Sequence, residues 1–267
     1  MSEPATLNPV SPKVSVVMAA YNAAATVGDA LESIRSQRYV DWELIVVDDA
    51  STDDTREILD AFARSEPRAR VIHRDTNGGL ATCLNFALRE ARGALVARMD
   101  ADDQALGDRF GDQVRFLDDR PDVAILGGGA LVIDDNGTAI SQLRRPEEHD
   151  DLVARIFREN PFVHPTVMAR RTVFEDLGGY DTSLRRGQDY DLWLRAYRRF
   201  RMHNLPQPLI KYRHGRAPVW RNARYSSMIL LRALRREGRL WQAPWLAARP
   251  LLATAVTLSI ARCRGER

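Results

Sequence analysis

The sequence predicts an α/β fold on a mostly parallel sheet flanked by helices, followed by a helical C-terminal extension. Three observations predict it. Short β-branched runs alternate with helical apolar stripes through residues 14–103, acids stand where two of those runs end, and the composition is that of an ordinary folded protein. With 267 residues, 45% of them apolar and 28% charged, the chain can bury a sizeable core without disulfide or metal staples.

Val14-Ser15-Val16-Val17-Met18-Ala19 suits a buried parallel strand. After Tyr21-Asn22, the apolar residues Val27, Ala30, Leu31 and Ile34 recur at helical spacing, with Asn22 or Thr26 as the cap. Leu44-Ile45-Val46-Val47 is a second strand and ends on Asp48-Asp49. Ser51-Thr52-Asp53-Asp54 opens a helix whose acids meet the positive end of its dipole, and Ile58, Leu59 and Phe62 form its buried stripe. Val71-Ile72-His73 is a short third strand. Asn77-Gly78-Gly79 turns into a helix with Leu80, Cys83, Leu84, Ala87, Leu88 and Ala91 on one face. Gly93 ends that helix, and Ala94 to Met99 is a fourth strand running into Asp100-Ala101-Asp102-Asp103. Units of this kind build a parallel sheet, so the acids after the second and fourth strands share one rim. Open α/β sheets bind their ligands at that edge.

From Gly107 the rhythm loosens. Phe110, Val114 and Leu117 suggest a helix, Val123 to Ile133 an extended stretch broken by Gly127-Gly128-Gly129, and Leu152 to Phe157 a short helix in an otherwise irregular region. Asp189 to Arg199 is helical, with Leu192, Trp193 and Ala196 facing in. Tyr225 to Arg236 begins the extension as a helix. The apolar run Leu251 to Ala261 falls short of the ~20 residues that span a bilayer, which leaves docking on the body and lying in a membrane interface both open.

The net charge of +3 hides an asymmetry: residues 1–200 carry 25 Lys/Arg against 34 Asp/Glu, and residues 201–267 carry 14 against 2. An acidic body fits a metal site, and a basic tail fits either an anionic surface or a solvated helix. No pattern points to nucleic acid. Cys83 and Cys263 lack metal-ligand spacing and are expected as free thiols in a reducing compartment, and the first twelve residues lack the basic start and apolar run of a signal peptide.

The chemistry concentrates in Arg98-Met99-Asp100-Ala101-Asp102-Asp103. In a continuing strand, residues two apart point the same way, so Asp100 and Asp102 can face one ion. A hard cation such as Mg²⁺ or Mn²⁺ takes carboxylates plus phosphate oxygens and water. The competing reading is an acidic turn that caps the next helix, with Arg98 in a structural salt bridge.

Val14 to Asp103 resembles the nucleotide-binding half of family 2 glycosyltransferases, which have the GT-A fold. The matching segments are Ser15 to Asn22, Val46 to Asp53, Asn77-Gly78-Gly79 and Arg98 to Asp103, in order and at the usual intervals. Weaker resemblance continues through His164-Pro165-Thr166, Gly187 to Trp193 and Tyr212-Arg213-His214, and stops near residue 215. It implies a GT-A domain over residues 10–215, with 10–103 binding nucleotide and 104–215 serving acceptor and catalysis, and an extension over 216–267. It also implies that Ala20, Tyr21, Asp49, Gly78, Arg98 and Asp100 meet the donor. Asp102 becomes the metal ligand and Asp189 the base that deprotonates the acceptor hydroxyl. Gln188 stands where the family usually has Glu, which removes a like charge from beside Asp189. Asp191 competes for the role of base but points to another helix face. His214 matches a position that ligates metal or touches pyrophosphate, and is otherwise a surface histidine; His164 belongs to the acceptor pocket or to the core.

The resemblance thus implies a Mn²⁺- or Mg²⁺-dependent, inverting transfer of a sugar from a nucleotide-diphosphate sugar to a glycan or lipid-linked acceptor. Expected surroundings are the cytoplasm, with the basic tail peripheral at the inner face of the plasma membrane. Two rivals stand beside it. A nucleotidyltransferase would place a glycine-rich basic loop after the first strand, where this chain has Tyr21-Asn22-Ala23-Ala24-Ala25; a non-catalytic nucleotide-sugar scaffold would need neither Asp102 nor a base.

Overall fold

The computed structural model describes residues 11–213 and 219–242, so His214, Cys263 and the apolar run near the C-terminus lie outside the described residues. The first half is the expected alternation. Strands β1 (Val14–Ala20), β2 (Trp42–Asp48), β3 (Ala69–His73) and β4 (Leu95–Asp100) pair in parallel in the order β3-β2-β1-β4. Register sets Ala20 opposite Asp48 and Ala19 opposite Asp100, so the acidic strand ends do share one rim.

Alternation along the strands makes two cores. Val14, Val16 and Met18 pack with Leu44, Val46 and Met99 on one face, beneath α1 (Val27–Arg35), α2 (Thr55–Ser65) and α4 (Arg109–Asp119). Val17, Ile45, Val47 and Val96 face the other way, onto α3 (Leu80–Glu90). The same layer holds α5 (His149–Arg155), α6 (Arg171–Leu177) and α7 (Gln188–Ala196). Burial on both faces is why these strands are almost uninterruptedly apolar.

The second half departs from the expected reading. The sheet continues β4-β8-β6-β9-β5, through β5 (Gln104–Ala105), β6 (Val123–Ile133), β8 (Met168–Arg170) and β9 (Arg201–Arg213), with β7 (Ala139–Leu143) paired to β6. β8 runs antiparallel to β4 and β6. The three glycines expected to break β6 lie inside it instead. A Cβ on Gly127 would come within 2.3 Å of Asn204 Oδ1, and one on Gly128 within 2.5 Å of Leu209, so bare backbone there lets β9 and Phe162 close on the strand. The cost is a slipped register on either side of Gly129. Asn22 is not a helix cap: its Oδ1 accepts from the Thr52 N–H at 2.9 Å, while Thr26 stands at the N-cap of α1 and donates its hydroxyl to Ala101 O at 3.0 Å.

The described part of the basic tail begins with α8 (Val219–Arg236), which packs on the body. Ile229, Leu230 and Ala233 join the α7 core, Arg236 donates to Leu194 O at 3.0 Å, and Tyr197 donates to Glu237 at 2.6 Å. Beyond it Leu240 and Trp241 are 50% and 75% exposed. No described helix is long and apolar enough to cross a membrane. Ile229 is fully buried, so Ile229→Ala should cost about 3 kcal/mol by urea denaturation. A loss under about 1 kcal/mol would mean that α8 is not part of the folded core.

Candidate active site

β4 delivers three carboxylates to the rim within one turn. Asp100, Asp102 and Asp103 offer oxygens that all lie within 4.8 Å of one another. Their environments differ. Half-buried Asp100 accepts an ion-paired hydrogen bond from Arg98 Nη2, so Arg98 makes the structural salt bridge that one sequence reading expected. Arg98 itself is buried, and its Nε and Nη1 have no hydrogen-bond partner among the described residues. Asp102 is exposed on the rim yet flanked by protein, and that surrounding, reinforced by the charge of Asp100, pushes its pKa up to about 6. Asp103 is fully buried. Burial first, then Asp100 and Asp102, drive it up to about 9.

Asp103 is not a cap for α4, which begins at Arg109. Its Oδ1 accepts the Arg213 N–H at 2.9 Å, which ties the end of β9 to the acidic turn, and its Oδ2 is buried without a partner among the described residues. Beneath the turn, the fully buried Arg109 donates to Gln113 Oε1 and to Arg98 O, each at 2.9 Å. Burial lowers its pKa to about 9, which still leaves it charged at neutral pH. Crowded hard oxygens, one of them orphaned, form a donor set that suits a divalent cation.

The β2 end forms the neighbouring wall. Asp49 is nearly buried, and its carboxylate accepts from Gly78 N–H at 2.8 Å, Gly79 N–H at 2.7 Å and Arg74 Nη1 at 2.8 Å. It therefore shapes the Asn77-Gly78-Gly79 turn. Asp48 accepts from the Ser51 N–H and meets His73, whose other nitrogen meets Asp60, both His73 contacts at 2.9 Å. Burial alone would raise the Asp48 pKa, but Ser51 and His73 outweigh it and hold the group low. The loop after β1 is stitched to this wall: Asn22 N–H donates to Ser51 Oγ, Ala23 N–H to Thr55 Oγ1 and Ala24 N–H to Asp53. Ala20 closes the wall as buried backbone, and Tyr21 stands 52% exposed above it. Ala50 has φ +62, a left-handed conformation costly for a side chain and characteristic of functional turns.

Asp189 lies on the third side, in the first turn of α7 behind a left-handed Gly187. Asn160 Nδ2 donates to its Oδ2 at 2.6 Å. Burial raises the Asp189 pKa against the opposing effects of Asn160, the Tyr190 N–H and the Arg98 charge. That same charge bears on Asp102, Asp103 and Tyr180, so the base candidate and the acid turn occupy one electrostatic site. Gln188 is buried beside Asp189, with its Oε1 unpartnered among the described residues.

Two expected acceptor-side residues are not brought into the site. Asp191 turns inward and accepts from Arg195 Nε at 2.8 Å, because residues two apart on a helix diverge. His164 is a core residue. Its Nε2 meets Tyr180 OH at 2.9 Å, its ring packs edgewise on Trp193, and burial keeps it neutral. Asn160, Arg109 and Arg213 were not evident from the sequence. Asn160-Pro161 reads only as a turn, Arg109 stands within no motif, and Arg213 lies inside Tyr212-Arg213-His214 without a role of its own there.

Comparison with known proteins bears on this geometry. The model of the family described as Glycosyl transferase family 2 matches residues 15–178. EpsE of Bacillus subtilis (strain 168), which carries a glycosyltransferase name, is 39% identical over 206 residues, covering 76% of this chain and 73% of its own. The O-antigen biosynthesis glycosyltransferase WbnJ of Escherichia coli is 32% identical over 206 residues, 75% of this chain and 79% of its own. Among solved structures, S. aureus TarS 1-349 in complex with UDP-GlcNAc superposes with a TM-score of 0.64 at 22% identity, over 82% of this chain and 66% of that one. The mannosyltransferase PcManGT from Pyrobaculum calidifontis, in complex with GDP-Man and Mn²⁺, gives 0.66 at 20% identity over 96% and 76%. These likenesses carry the GT-A fold, and the sequence matches carry the family: the chain belongs to glycosyltransferase family 2.

Proposed function

We propose that the protein transfers a sugar, with inversion at the anomeric carbon, from a nucleotide-diphosphate sugar to a hydroxyl of a glycan or lipid-linked acceptor in cell-surface polysaccharide or glycolipid assembly. The observation that carries this reading is the acid turn at 100–103, set on the parallel rim and sharing the field of one buried guanidinium with Asp189. The UDP-GlcNAc and GDP-Man complexes of the structural neighbours support a nucleotide-sugar donor, and the O-antigen relative supports the polysaccharide setting. Family membership displaces the nucleotidyltransferase alternative.

In this reading, residues 10–103 hold the nucleotide, 104–215 serve the acceptor, and 216–267 form an extension. Ala20, Tyr21, Asp49, Gly78, Arg98 and Asp100 form the donor side, with Asp49 acting through the turn it holds. Asp102, flanked by Asp100 and Asp103, would hold Mn²⁺ or Mg²⁺, with His214 following the Arg213 that Asp103 ties down. When bound, that ion neutralises charge on the leaving diphosphate. Asp189 takes the proton of the attacking hydroxyl. Its raised pKa makes it the stronger base, while Asn160 fixes its orientation and stabilises its charged form. The basic extension suits the anionic cytoplasmic leaflet of a membrane.

Nucleoside diphosphates with Mn²⁺ should raise the melting temperature of the protein, and Asp102→Ala should abolish the Mn²⁺-dependent part. A variant that keeps the full shift would remove Asp102 from the metal site. Asp189→Asn should retain nucleotide binding while transfer falls by roughly 10²–10⁴-fold. Binding without turnover across a wide acceptor panel would favour the scaffold instead. Because Asp189 must be ionised to accept a proton, kcat/KM should rise with pH through its raised pKa. Removing the Asn160 bond destabilises the carboxylate, so Asn160→Leu should move that acid limb to higher pH; an unmoved limb would mean that Asp189 is not the group observed.

A further inference from the structure

His73 stands at the end of β3 with a carboxylate against each nitrogen of its ring. Nδ1 meets Asp48 Oδ2 and Nε2 meets Asp60 Oδ1, both at 2.9 Å. A neutral imidazole has one N–H and can donate to only one of them, whereas the imidazolium donates to both. The geometry therefore calls for the charged ring. Burial alone would lower the His73 pKa, but the bonds to Asp48 and Asp60 outweigh it and raise the group. His149, His164 and His203 are pushed the other way, with burial leading in each case. The other charge that bears on the ring is Arg56, on α2 with Asp60, whose Nε lies 3.8 Å from Asp48 Oδ2. Arg74, next in the chain, is turned to Asp49.

Both carboxylates lead to the same loop. Asp48 Oδ1 accepts the Ser51 N–H at 3.1 Å, and Ser51 Oγ accepts the Asn22 N–H at 3.0 Å. Asp60 belongs to α2, whose first residue, Thr55, accepts the Ala23 N–H at 2.8 Å, and Asp53 just before it accepts the Ala24 N–H at 3.1 Å. The imidazolium thus joins the two supports from which residues 22–24 hang. Asp48 is buried and Asp60 is 44% exposed, so a ring that loses its proton keeps its remaining N–H for Asp48 and releases Asp60 to water. One tie between β3 and α2 then goes.

We infer that His73 is a positioning residue of the donor wall, whose proton holds the loop after β1 in the shape that receives the nucleotide. This rests on Ala20 and Tyr21 bordering the donor in the proposed function. The sign follows from linkage. With the folded group raised, its contribution is complete below the ordinary histidine pKa and is lost as pH rises through the raised value. Donor affinity should fall with it, on the alkaline side, opposite to the acid limb assigned to Asp189.

The test follows binding of the diphosphates of uridine, guanosine, adenosine, cytidine and thymidine to the full chain with Mg²⁺, from about pH 6.5 to about pH 9. For a diphosphate that binds, Kd should rise about fivefold or more as pH passes through the His73 pKa. Coupling is reciprocal, so the same diphosphate should raise the His73 pKa, by about 0.7 for a fivefold effect, in an NMR titration of the ring signals. A histidine that only supports the fold would not respond in this way. His73→Gln should show no step and should bind at about pH 6.5 as weakly as the unsubstituted protein does at about pH 9. A Kd that does not change with pH, a step of equal size in His73→Gln, or a His73 pKa that the nucleotide leaves in place would each overturn the inference. Should the Gln variant not fold, the two measurements on the unsubstituted protein decide. Failure of all five diphosphates to bind at any pH counts against the donor site and the transferase reading, whereas binding without a pH step counts against His73 alone.

Discussion

Like charges forced into one turn are the constraint on which the site depends. Asp100, Asp102 and Asp103 sit too close to be ionised together at low cost, and burial worsens the position of Asp103. The protein offsets part of this with positive charge below. Arg98 pairs with Asp100, and Arg109 lies under both with its donors spent on neutral acceptors. The offset is incomplete, as the raised Asp102 and Asp103 and the orphaned Asp103 oxygen record. Folding has left a negative deficit of compensation at one point of the rim, and a bound cation is the simplest species that cancels it.

The surrounding walls are rigid for a different reason. Around Asp49 and the loop after β1, backbone N–H groups that no strand or helix uses are satisfied by side-chain oxygens from neighbouring segments. Polar residues that resemble substrate contacts in a linear motif thus serve first as internal acceptors. Asp49 is the clearest case, since three donors already converge on it. What such a wall presents to a ligand is mostly backbone shape, with Tyr21 as the exposed side chain above it.

The parallel half was legible because each element announces itself locally: β-branched runs, helical stripes and acids at strand ends. The second half was not. β8 has three residues, too few for any period, and β9 contains Pro206 and Pro208, which argue against a strand when read alone. Both exist because β6 offers pairing partners, with its glycines clearing the space for β9. The site divides the same way. Asp100, Asp102 and Asp189 stand in motifs as candidates, and the divergence of Asp191 follows from helical geometry. Asn160, Arg109 and Arg213 act through contacts between distant segments; nothing in the immediate neighbours of Asn160 and Arg109 distinguishes them, and Arg213 is visible only as the middle of Tyr212-Arg213-His214. The tail reads as basic by charge and as helical by its apolar residues near 228–231, and its first helix is held by Ile229, Leu230 and Ala233, apolar residues among arginines.

The bond between Asp103 and the Arg213 N–H spans 110 residues. The two halves of the sheet are thus buttoned together at the point of greatest repulsion. Prising the end of β9 away would return Asp103 to water, where a carboxylate ionises most readily, so the acid turn pulls against the contact that closes it.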